Sequence, residues 1–190
     1  MERRGWVPGD RLGAGWCVWR AFACDAATKW MFEEGADGLA LWYFRWLVYT
    51  ISMSHRLTDV AVESGRVVGV AAWEPVESES LAADARGMLM VAALFLRAGP
   101  RRASRILQLE TGIENARARA KAPRATGHRL VLLATLPERR RRGIASELLR
   151  AGLRRADALG VACSLESTDA ANMPLYRRHG FRAGLDGQTL

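Results

Sequence analysis

Hydrophobic and polar positions follow two different periods along this chain, and the change of period marks the predicted elements. Apolar side chains recur at helical spacing over residues 16–32, and a second, very apolar helical stretch covers residues 39–53. Alternation then predicts strands over residues 58–63 and 66–73, with Ser64-Gly65 as the turn of a hairpin. The chain therefore begins with helices and continues into a β-hairpin.

The second half of the chain predicts helices followed by a strand–helix–strand unit. Helices over residues 79–98 and 101–121 are separated by Gly99-Pro100, and residues 122–127 form a loop. A nearly continuous apolar run at 128–135 predicts a strand at the centre of a covered sheet. The next helix ends at Gly160 and has one apolar face: Ile144, Leu148, Leu149, Gly152, Leu153, Ala156 and Leu159. A strand over 161–167 would pair with 128–135 in parallel through a right-handed crossover, and a last strand starts over 181–186.

The length of 190 residues fits one α/β domain with a sizeable core, without repeats or a dividing linker. Three segments are expected within it: N-terminal helices over 1–57, the hairpin and two helices over 58–127, and a strand–helix–strand core over 128–190. Met1 to Asp10 is polar and no apolar signal-peptide segment follows it, so a cytoplasmic protein is expected. The longest apolar run, 88–96, is too short to span a bilayer, so no membrane partner is expected.

The strongest chemical signal is an arginine cluster at the junction of a strand and a helix. Four arginines occupy positions 139–142, and Gly143 follows them. A helix N-terminus exposes unpaired N–H groups and carries partial positive charge, and glycine allows a ligand to approach the backbone closely. Guanidinium groups add forked donors that suit phosphate oxygens. This junction therefore predicts a site for a phosphorylated ligand.

The residues around this junction resemble the GNAT superfamily of acyl-CoA N-acyltransferases. Arg140, Gly143 and Ala145 match the family's Arg/Gln-x-x-Gly-x-Gly/Ala loop, and Pro137 stands where the preceding strand commonly ends. Downstream, Asn172 and Tyr176 match the family's Asn-x-x-x-Tyr, which is followed here by Gly180-Phe181. The segment from Leu165 to Tyr176 is similar to the puromycin N-acetyltransferase-like branch. The well-matched region covers about the last third of the chain.

The resemblance implies a fold and a cosubstrate. The fold is a mixed, mostly antiparallel sheet with one splayed parallel strand pair and helices on both faces. Only nine residues follow Phe181, so the family's last strand would be incomplete or its edge covered by another chain, and a homodimer stays open. Acetyl-CoA would be bound by the strand end, the loop and the later Asn: Leu133, Ala134, Thr135, Leu136, Arg140, Arg141, Arg142, Gly143, Ile144, Ala145, Ser146 and Asn172.

The same resemblance assigns catalytic roles. An amine would attack the acetyl thioester directly, with an oxyanion donor in a backbone N–H near Leu133. Tyr176 would donate a proton to the departing CoA thiolate. Asn172 would bind near the pantetheine or cap its helix. Two residues are candidates for the base: Glu166, which could instead pair with an arginine, and His128, which could act through water or be an exposed strand-end residue.

Charge and cysteines narrow the alternatives. Residues 1–96 hold nine Lys/Arg and twelve Asp/Glu, a balance of −3, whereas residues 97–190 hold nineteen and eight, a balance of +11. This basic half is interpreted as serving CoA phosphates, and specific nucleic-acid binding is not expected. The three cysteines lack CxxC spacing, so no zinc or other metal site is expected. The leading interpretation is an acetyl-CoA-dependent N-acetyltransferase that acts on a primary amine of a small molecule, of antibiotic or xenobiotic type. The alternatives are a protein lysine or N-terminal acetyltransferase and a non-catalytic CoA- or nucleic-acid-binding module.

Overall fold

The computed structural model describes residues 1–33, 35–75, 81–119, 127–167 and 169–182. Its centre is a five-stranded sheet in which spatial order follows chain order. The strands are β1 (Glu2–Gly5), β2 (Thr58–Glu63), β3 (Arg66–Pro75), β4 (Gly127–Thr135) and β5 (Ala162–Leu165). Neighbouring strands from β1 to β4 are antiparallel, and β4 and β5 are parallel. The predicted mixed sheet with one parallel pair is confirmed.

Six α-helices connect and cover these strands in the described part of the chain. They are α1 (Arg11–Phe22), α2 (Ala26–Phe32), α3 (Asp37–His55), α4 (Leu81–Arg119), α5 (Ile144–Leu159) and α6 (Met173–Arg178). Short 3₁₀ turns cover Pro8–Asp10, Pro137–Arg139 and Ala170–Asn172. The turn at Pro137–Arg139 ends four residues before α5, and the turn at Ala170–Asn172 leads directly into α6. The chemistry is expected at these two helix starts.

The first helical prediction was wrong in its extent. The stretch predicted as one helix over 16–32 contains two, because α1 begins at Arg11 and ends at Phe22, and α2 follows it. Asp25 explains the break: its backbone is extended, and its carboxylate accepts the N–H groups of Ala27 (2.9 Å) and Thr28 (3.3 Å). A carboxylate in this position stabilises a new helix start.

The two helices predicted between β3 and β4 form one kinked element, α4. Gly99 has φ 74° and ψ 164°, which is not helical, and Pro100 follows it. The predicted break is thus confirmed. Residues 76–80 and 120–126 lie outside the described part. The predicted helix start at 79, the predicted helix end at 121 and most of the predicted 122–127 loop are among them. Gly127 belongs to β4, and β3 continues through Pro75, which a strand terminus tolerates.

Helices cover both faces of the sheet, and close glycine contacts set how α5 lies against it. A Cβ on Gly152 would stand 2.3 Å from the Trp73 ring, and one on Gly69 would stand 2.6 Å from Ile144. The helix α5 therefore packs directly on β3, while α1 and α3 pack together and on the sheet's other face. Leu159 was wrongly assigned to the apolar face of α5, since it is 66% exposed next to the helix end at Gly160.

The last elements are shorter than predicted. The strand expected over 161–167 is β5, which spans four residues. Of the strand expected over 181–186, Phe181 and Arg182 are not in a strand, and residues 183–190 lie outside the described part. None of the described helices is long and apolar enough to cross a membrane.

Candidate functional site

The parallel strands β4 and β5 separate halfway along β4. Their pairing runs from Gly127 with Ala162 to Leu130 with Leu165, whereas β4 continues to Thr135. The β3–β4 register also shifts here, because Trp73 pairs with Leu130 and Ala72 with Leu132, leaving Val131 as a bulge. Residues 131–135 thus have no partner in β5. Their backbone edge is suited to pair with an extended ligand, as an added strand would.

The loop after β4 is shaped to receive an anion. Leu136 is buried and donates its N–H to the Val68 carbonyl at 3.0 Å, which fixes the end of the strand. Arg141 (φ 61°) and Gly143 (φ 80°) both have left-handed backbone conformations, and Gly143 immediately precedes α5. Among the described residues, apart from its two chain neighbours, no atom lies within 4 Å of the position that a Cβ on Gly143 would occupy. The first-turn N–H groups of α5, from Ile144 to Ser146, therefore face an open approach.

The loop arginines divide into two pairs. Arg139 forms an ion pair with Glu63 at 2.5 Å, and Arg140 donates to the Ala21 carbonyl at 2.8 Å, in the last turn of α1. Arg141 and Arg142 are exposed and make no hydrogen bond or ion pair within the described residues. The first pair anchors the loop to β2 and α1. The second pair leaves its guanidinium groups available for a phosphorylated ligand.

An unpartnered hydroxyl lies at the start of this opening. The Oγ1 atom of Thr135 is buried and has no hydrogen-bond partner in the described part of the chain. Thr135 pairs with Gly69, the residue that contacts Ile144 of α5, so its side chain lies on the face under the start of α5. A buried hydroxyl without a partner costs free energy, and a ligand in the opening could satisfy it. The neighbouring predicted residues Leu133 and Ala134 pair with β3 and also belong to the stretch that has no partner in β5.

Tyr176 lies on α6 and is 8% exposed. Its ring meets that of Phe181 edge-on, with centroids 6.1 Å apart. Burial raises the pKa of the Tyr176 phenol, and a hydrogen bond with the Ser167 side chain acts in the opposite direction. The phenol is therefore protonated at neutral pH, as a proton donor must be.

Asn172 is exposed and lies one helical turn before Tyr176. The expectation that it caps α6 was wrong, because its side chain accepts no cap hydrogen bond and its backbone is already helical (φ −82°, ψ −15°). The cap comes from Asp169, which is extended and accepts the Ala171 N–H at 2.9 Å. A 3₁₀ turn before α6 moves the helix start by three residues, which leaves the Asn172 side chain available for a ligand.

The two candidate bases lie at different depths. Glu166 is exposed and directly follows Leu165, so it lies opposite Val131, where β4 and β5 separate. His128 is 8% exposed near the start of β4, and burial together with the charge of Arg155 lowers its pKa. At about 3.3 Å per residue, His128 is roughly 10 Å from Val131 along the strand. The structure thus places Glu166 beside the opening and His128 away from it.

Charged residues that the sequence did not single out lie close to Glu166. Arg129 of β4 forms an ion pair with Glu74 of β3. Burial lowers the pKa of Arg129, and the negative charge of the Glu166 carboxylate acts in the opposite direction. Burial and the positive charge of the same arginine lower the pKa of His55, the last residue of α3. No motif or spacing connects these positions, because they are brought together from separate elements.

A separate cavity of about 250 Å³ opens beside the loop at the β2–β3 turn. It is lined by Glu63, Ser64, Arg66, Val68, Leu136, Glu138 and Arg139. Carboxylates and guanidinium groups are mixed around it, and the Arg139–Glu63 ion pair occupies one wall. This balance of charge distinguishes it from the arginine-rich approach to α5.

Comparison with known proteins finds similarity to acetyltransferases. Residues 102–183 match the acetyltransferase (GNAT) domain. The solved structure of a Brucella melitensis GNAT family acetyltransferase in complex with acetyl-CoA is similar, with 18% identity, a TM-score of 0.54, and coverage of 100% of this chain and 90% of that one. No curated protein matches the chain.

Two further structures are similar over nearly the whole chain. One is a Corynebacterium glutamicum protein described as histone acetyltransferase HPA2 and related acetyltransferase, with 25% identity, a TM-score of 0.61, and coverage of 95% and 83%. The other is the polyamine N-acetyltransferase of Drosophila melanogaster, with 17% identity, a TM-score of 0.60, and coverage of 99% and 90%.

Proposed function

We propose that this chain, which contains a GNAT acetyltransferase domain, transfers the acetyl group of acetyl-CoA to a primary amine of a small molecule. The match of residues 102–183 to the acetyltransferase (GNAT) domain, and the fold shared with a GNAT acetyltransferase solved with acetyl-CoA, support an N-acetyltransferase that uses acetyl-CoA as its cosubstrate. The proposal concerns the acceptor and the residues that carry the reaction.

One observation carries the proposal: the opening between β4 and β5 leads directly to the N-terminus of α5. The pantetheine arm pairs with the backbone of residues 131–135, and the pyrophosphate lies at the first turn of α5 beside Gly143. Arg141 and Arg142 supply side-chain donors, and the Thr135 hydroxyl gains the partner that it lacks. The thioester then lies near Val131, where the strands meet.

The reaction proceeds by direct attack at that point. The amine nitrogen loses a proton and bonds to the thioester carbon, and the oxyanion accepts a hydrogen bond from a backbone N–H of β4 near Leu133. The intermediate collapses, the carbon–sulfur bond breaks, and the sulfur takes a proton from Tyr176. The amide and free CoA are the products, and Tyr176 recovers its proton from solvent. Glu166 is the base that the geometry favours, because it lies beside Val131.

A small acceptor is supported by the Drosophila neighbour, which is described as a polyamine N-acetyltransferase that catalyses the formation of N-acetylagmatine. A protein acceptor is the second candidate. The Corynebacterium neighbour, described as histone acetyltransferase HPA2 and related acetyltransferase, supports that alternative. Both acceptors present a primary amine, so they share the chemistry at the thioester and differ in what lies around it.

A turnover screen tests the proposal. Acetyl-CoA is incubated with the protein and a panel of mono-, di- and polyamines, aminoglycosides and lysine peptides, and CoA is quantified by chromatography. Chromatography is preferable to a thiol dye because Cys24 is exposed. Cys17 is buried, and burial raises its pKa to about 12. Turnover of a small amine supports the proposal, peptide-only turnover supports the second candidate, and tight acetyl-CoA binding with no turnover would contradict both.

A further inference from the structure

Four titratable side chains from four different elements converge below the point where β4 and β5 separate. They are His55 from the end of α3, Glu74 from β3, Arg129 from β4 and Glu166 just after β5, and we call them the acceptor-face cluster. Convergence of charged groups from distant parts of a chain is characteristic of functional sites. The mechanism above uses only one of them.

Strand geometry fixes the face on which the cluster lies. Trp73 points to α5, where its ring contacts Gly152, so the next residue, Glu74, points to the opposite face of the sheet. Arg129 pairs with Glu74 across β3 and β4, and with Ser164 across β4 and β5. Glu166 stands two residues after Ser164, which puts it on the same face as Arg129. This face is the one covered by α3, opposite the helix that receives the pyrophosphate.

Arg129 lies between the two carboxylates. It forms an ion pair with Glu74, and the two side chains are 24% and 18% exposed. Burial lowers the pKa of Arg129, while the Glu166 carboxylate acts in the opposite direction. Burial and the charge of Arg129 both lower the pKa of His55, so this imidazole is neutral at pH 7. The cluster holds two carboxylates and one guanidinium, so its net charge is −1.

We propose that the acceptor-face cluster is the acceptor amine site, in which Glu166 binds the incoming ammonium and Arg129, held by Glu74, positions the Glu166 carboxylate. The surplus negative charge favours an acceptor with a second cationic group at its far end over one with a carboxylate there. Glu166 takes the ammonium proton and passes it to solvent, which frees the nitrogen lone pair for attack on the thioester carbon. Arg129 and Glu74 are positioning residues that do not touch the reacting atoms.

This inference rests on the proposed function, and one set of variants separates the two. Three four-carbon amines are compared: 1,4-diaminobutane, butylamine and 4-aminobutanoate, which differ only in the charge at the far end. With wild-type protein kcat/KM should be highest for 1,4-diaminobutane, lower for butylamine and lowest for 4-aminobutanoate. Glu166→Gln should lower kcat about 10²-fold, as expected for loss of a general base, without changing acetyl-CoA affinity by calorimetry. Asp157→Asn, an exposed carboxylate on α5, is the matched control and should keep wild-type rates.

The positioning role is tested by exchanging the paired charges. The double variant Glu74→Arg, Arg129→Glu restores an ion pair but places a carboxylate beside Glu166. If the pair only stabilises the sheet, the double variant should have the same melting temperature and the same rate as the wild type. We expect the double variant to have the wild-type melting temperature but a kcat at least about tenfold below that of the wild type.

Each result decides the matter. Full activity in the exchanged variant would overturn the positioning role of the pair. A rate within twofold of wild type for Glu166→Gln would overturn the cluster and the assignment of Glu166 as the base, while leaving acetyl transfer from acetyl-CoA to a small amine intact. Failure of wild-type protein to acetylate any amine would overturn the proposed function and the acceptor site together. Glu166 is exposed, so the test with Glu166→Gln does not depend on whether the half-buried Glu74–Arg129 pair tolerates the exchange.

Discussion

The two sides of the β4–β5 opening are built in different ways. The proposed cosubstrate side comes from one continuous stretch, in which Thr135 ends a strand and Gly143 precedes a helix. Its donors are mostly backbone N–H groups, and its shape depends on two left-handed residues, Arg141 and Gly143. The acceptor side consists of side chains from α3, β3, β4 and the end of β5. One side is a local backbone structure, and the other exists only in the assembled sheet.

This difference predicts how each side responds to substitution. A backbone site is disturbed by a change of main-chain conformation or by a side chain that fills the ligand's approach. A site made of side chains is disturbed by the loss of single charges or hydroxyl groups. Substitutions on the cosubstrate side should therefore change acetyl-CoA affinity, and those on the acceptor and catalytic side should change kcat.

The largest effect is expected for Gly143→Val. Valine at φ 80° is strained, and its branched side chain would occupy the space next to the first turn of α5. We expect acetyl-CoA affinity to fall by about 10²-fold, or roughly 2.7 kcal/mol, in calorimetry.

The matched control is Gly160→Val at the other end of the same helix. Gly160 has φ 66° and equally open surroundings, so it carries comparable backbone strain without facing the ligand. Equal losses of acetyl-CoA affinity in both variants would mean that strain in α5, and not the ligand approach, is responsible.

Tyr176→Phe removes one hydroxyl and keeps the ring that contacts Phe181. General acids typically contribute about 10²–10⁴-fold, and a thiolate is already a fair leaving group, so we expect about 10²-fold in kcat. Acetyl-CoA affinity and the melting temperature should change little. Full turnover of the Phe variant, with chemistry rate-limiting, would assign proton donation to water.

A smaller effect is expected for Thr135→Val, which replaces the unpartnered hydroxyl with a methyl group of similar size. If acetyl-CoA satisfies that hydroxyl, affinity should fall by about 0.5–1.5 kcal/mol, roughly twofold to tenfold. The free protein should be no less stable, because no hydrogen bond is lost in it.

Thr58→Val is the contrasting control. Its Oγ1 accepts a hydrogen bond from the buried Ser52 hydroxyl at 2.9 Å, so this substitution should lower stability and leave acetyl-CoA affinity unchanged. Unchanged affinity in Thr135→Val would exclude the hydroxyl from the cosubstrate site.

The smallest expected effect concerns pH, because the ratio of wild-type to Tyr176→Phe kcat should not change with it. Burial raises the pKa of Tyr176 above its ordinary value of about 10, so the donor form persists at every pH below that value. The ratio of wild-type to Tyr176→Phe kcat should therefore stay constant between about pH 7 and pH 9. A ratio that falls toward one by pH 9 would show that the phenol ionises within this range and would contradict its role as the acid.

Much of the fold followed from local pattern. The strand over Thr58–Glu63 was predicted at its observed bounds because alternation and a Ser64-Gly65 turn agree there. The division of α1 from α2 was missed, because apolar spacing continues through Asp25 while its carboxylate starts a new helix. Asn172 was predicted as a cap for its residue type, but the preceding 3₁₀ turn gave that role to Asp169. Short-range hydrogen bonding decided both cases.

By itself the sequence determined the strand, loop and helix of the proposed cosubstrate side, since these elements are consecutive and each follows from local pattern. The family resemblance of the same stretch pointed to Gly143, Thr135 and Tyr176, which lie within about forty residues of one another. Only the tertiary structure decided which arginines anchor the loop, as Arg139 and Arg140 find partners in β2 and α1. It alone brought Glu74 and Arg129 next to Glu166. A backbone site is encoded in continuous sequence, whereas a site of side chains depends on strand register, which no single segment contains.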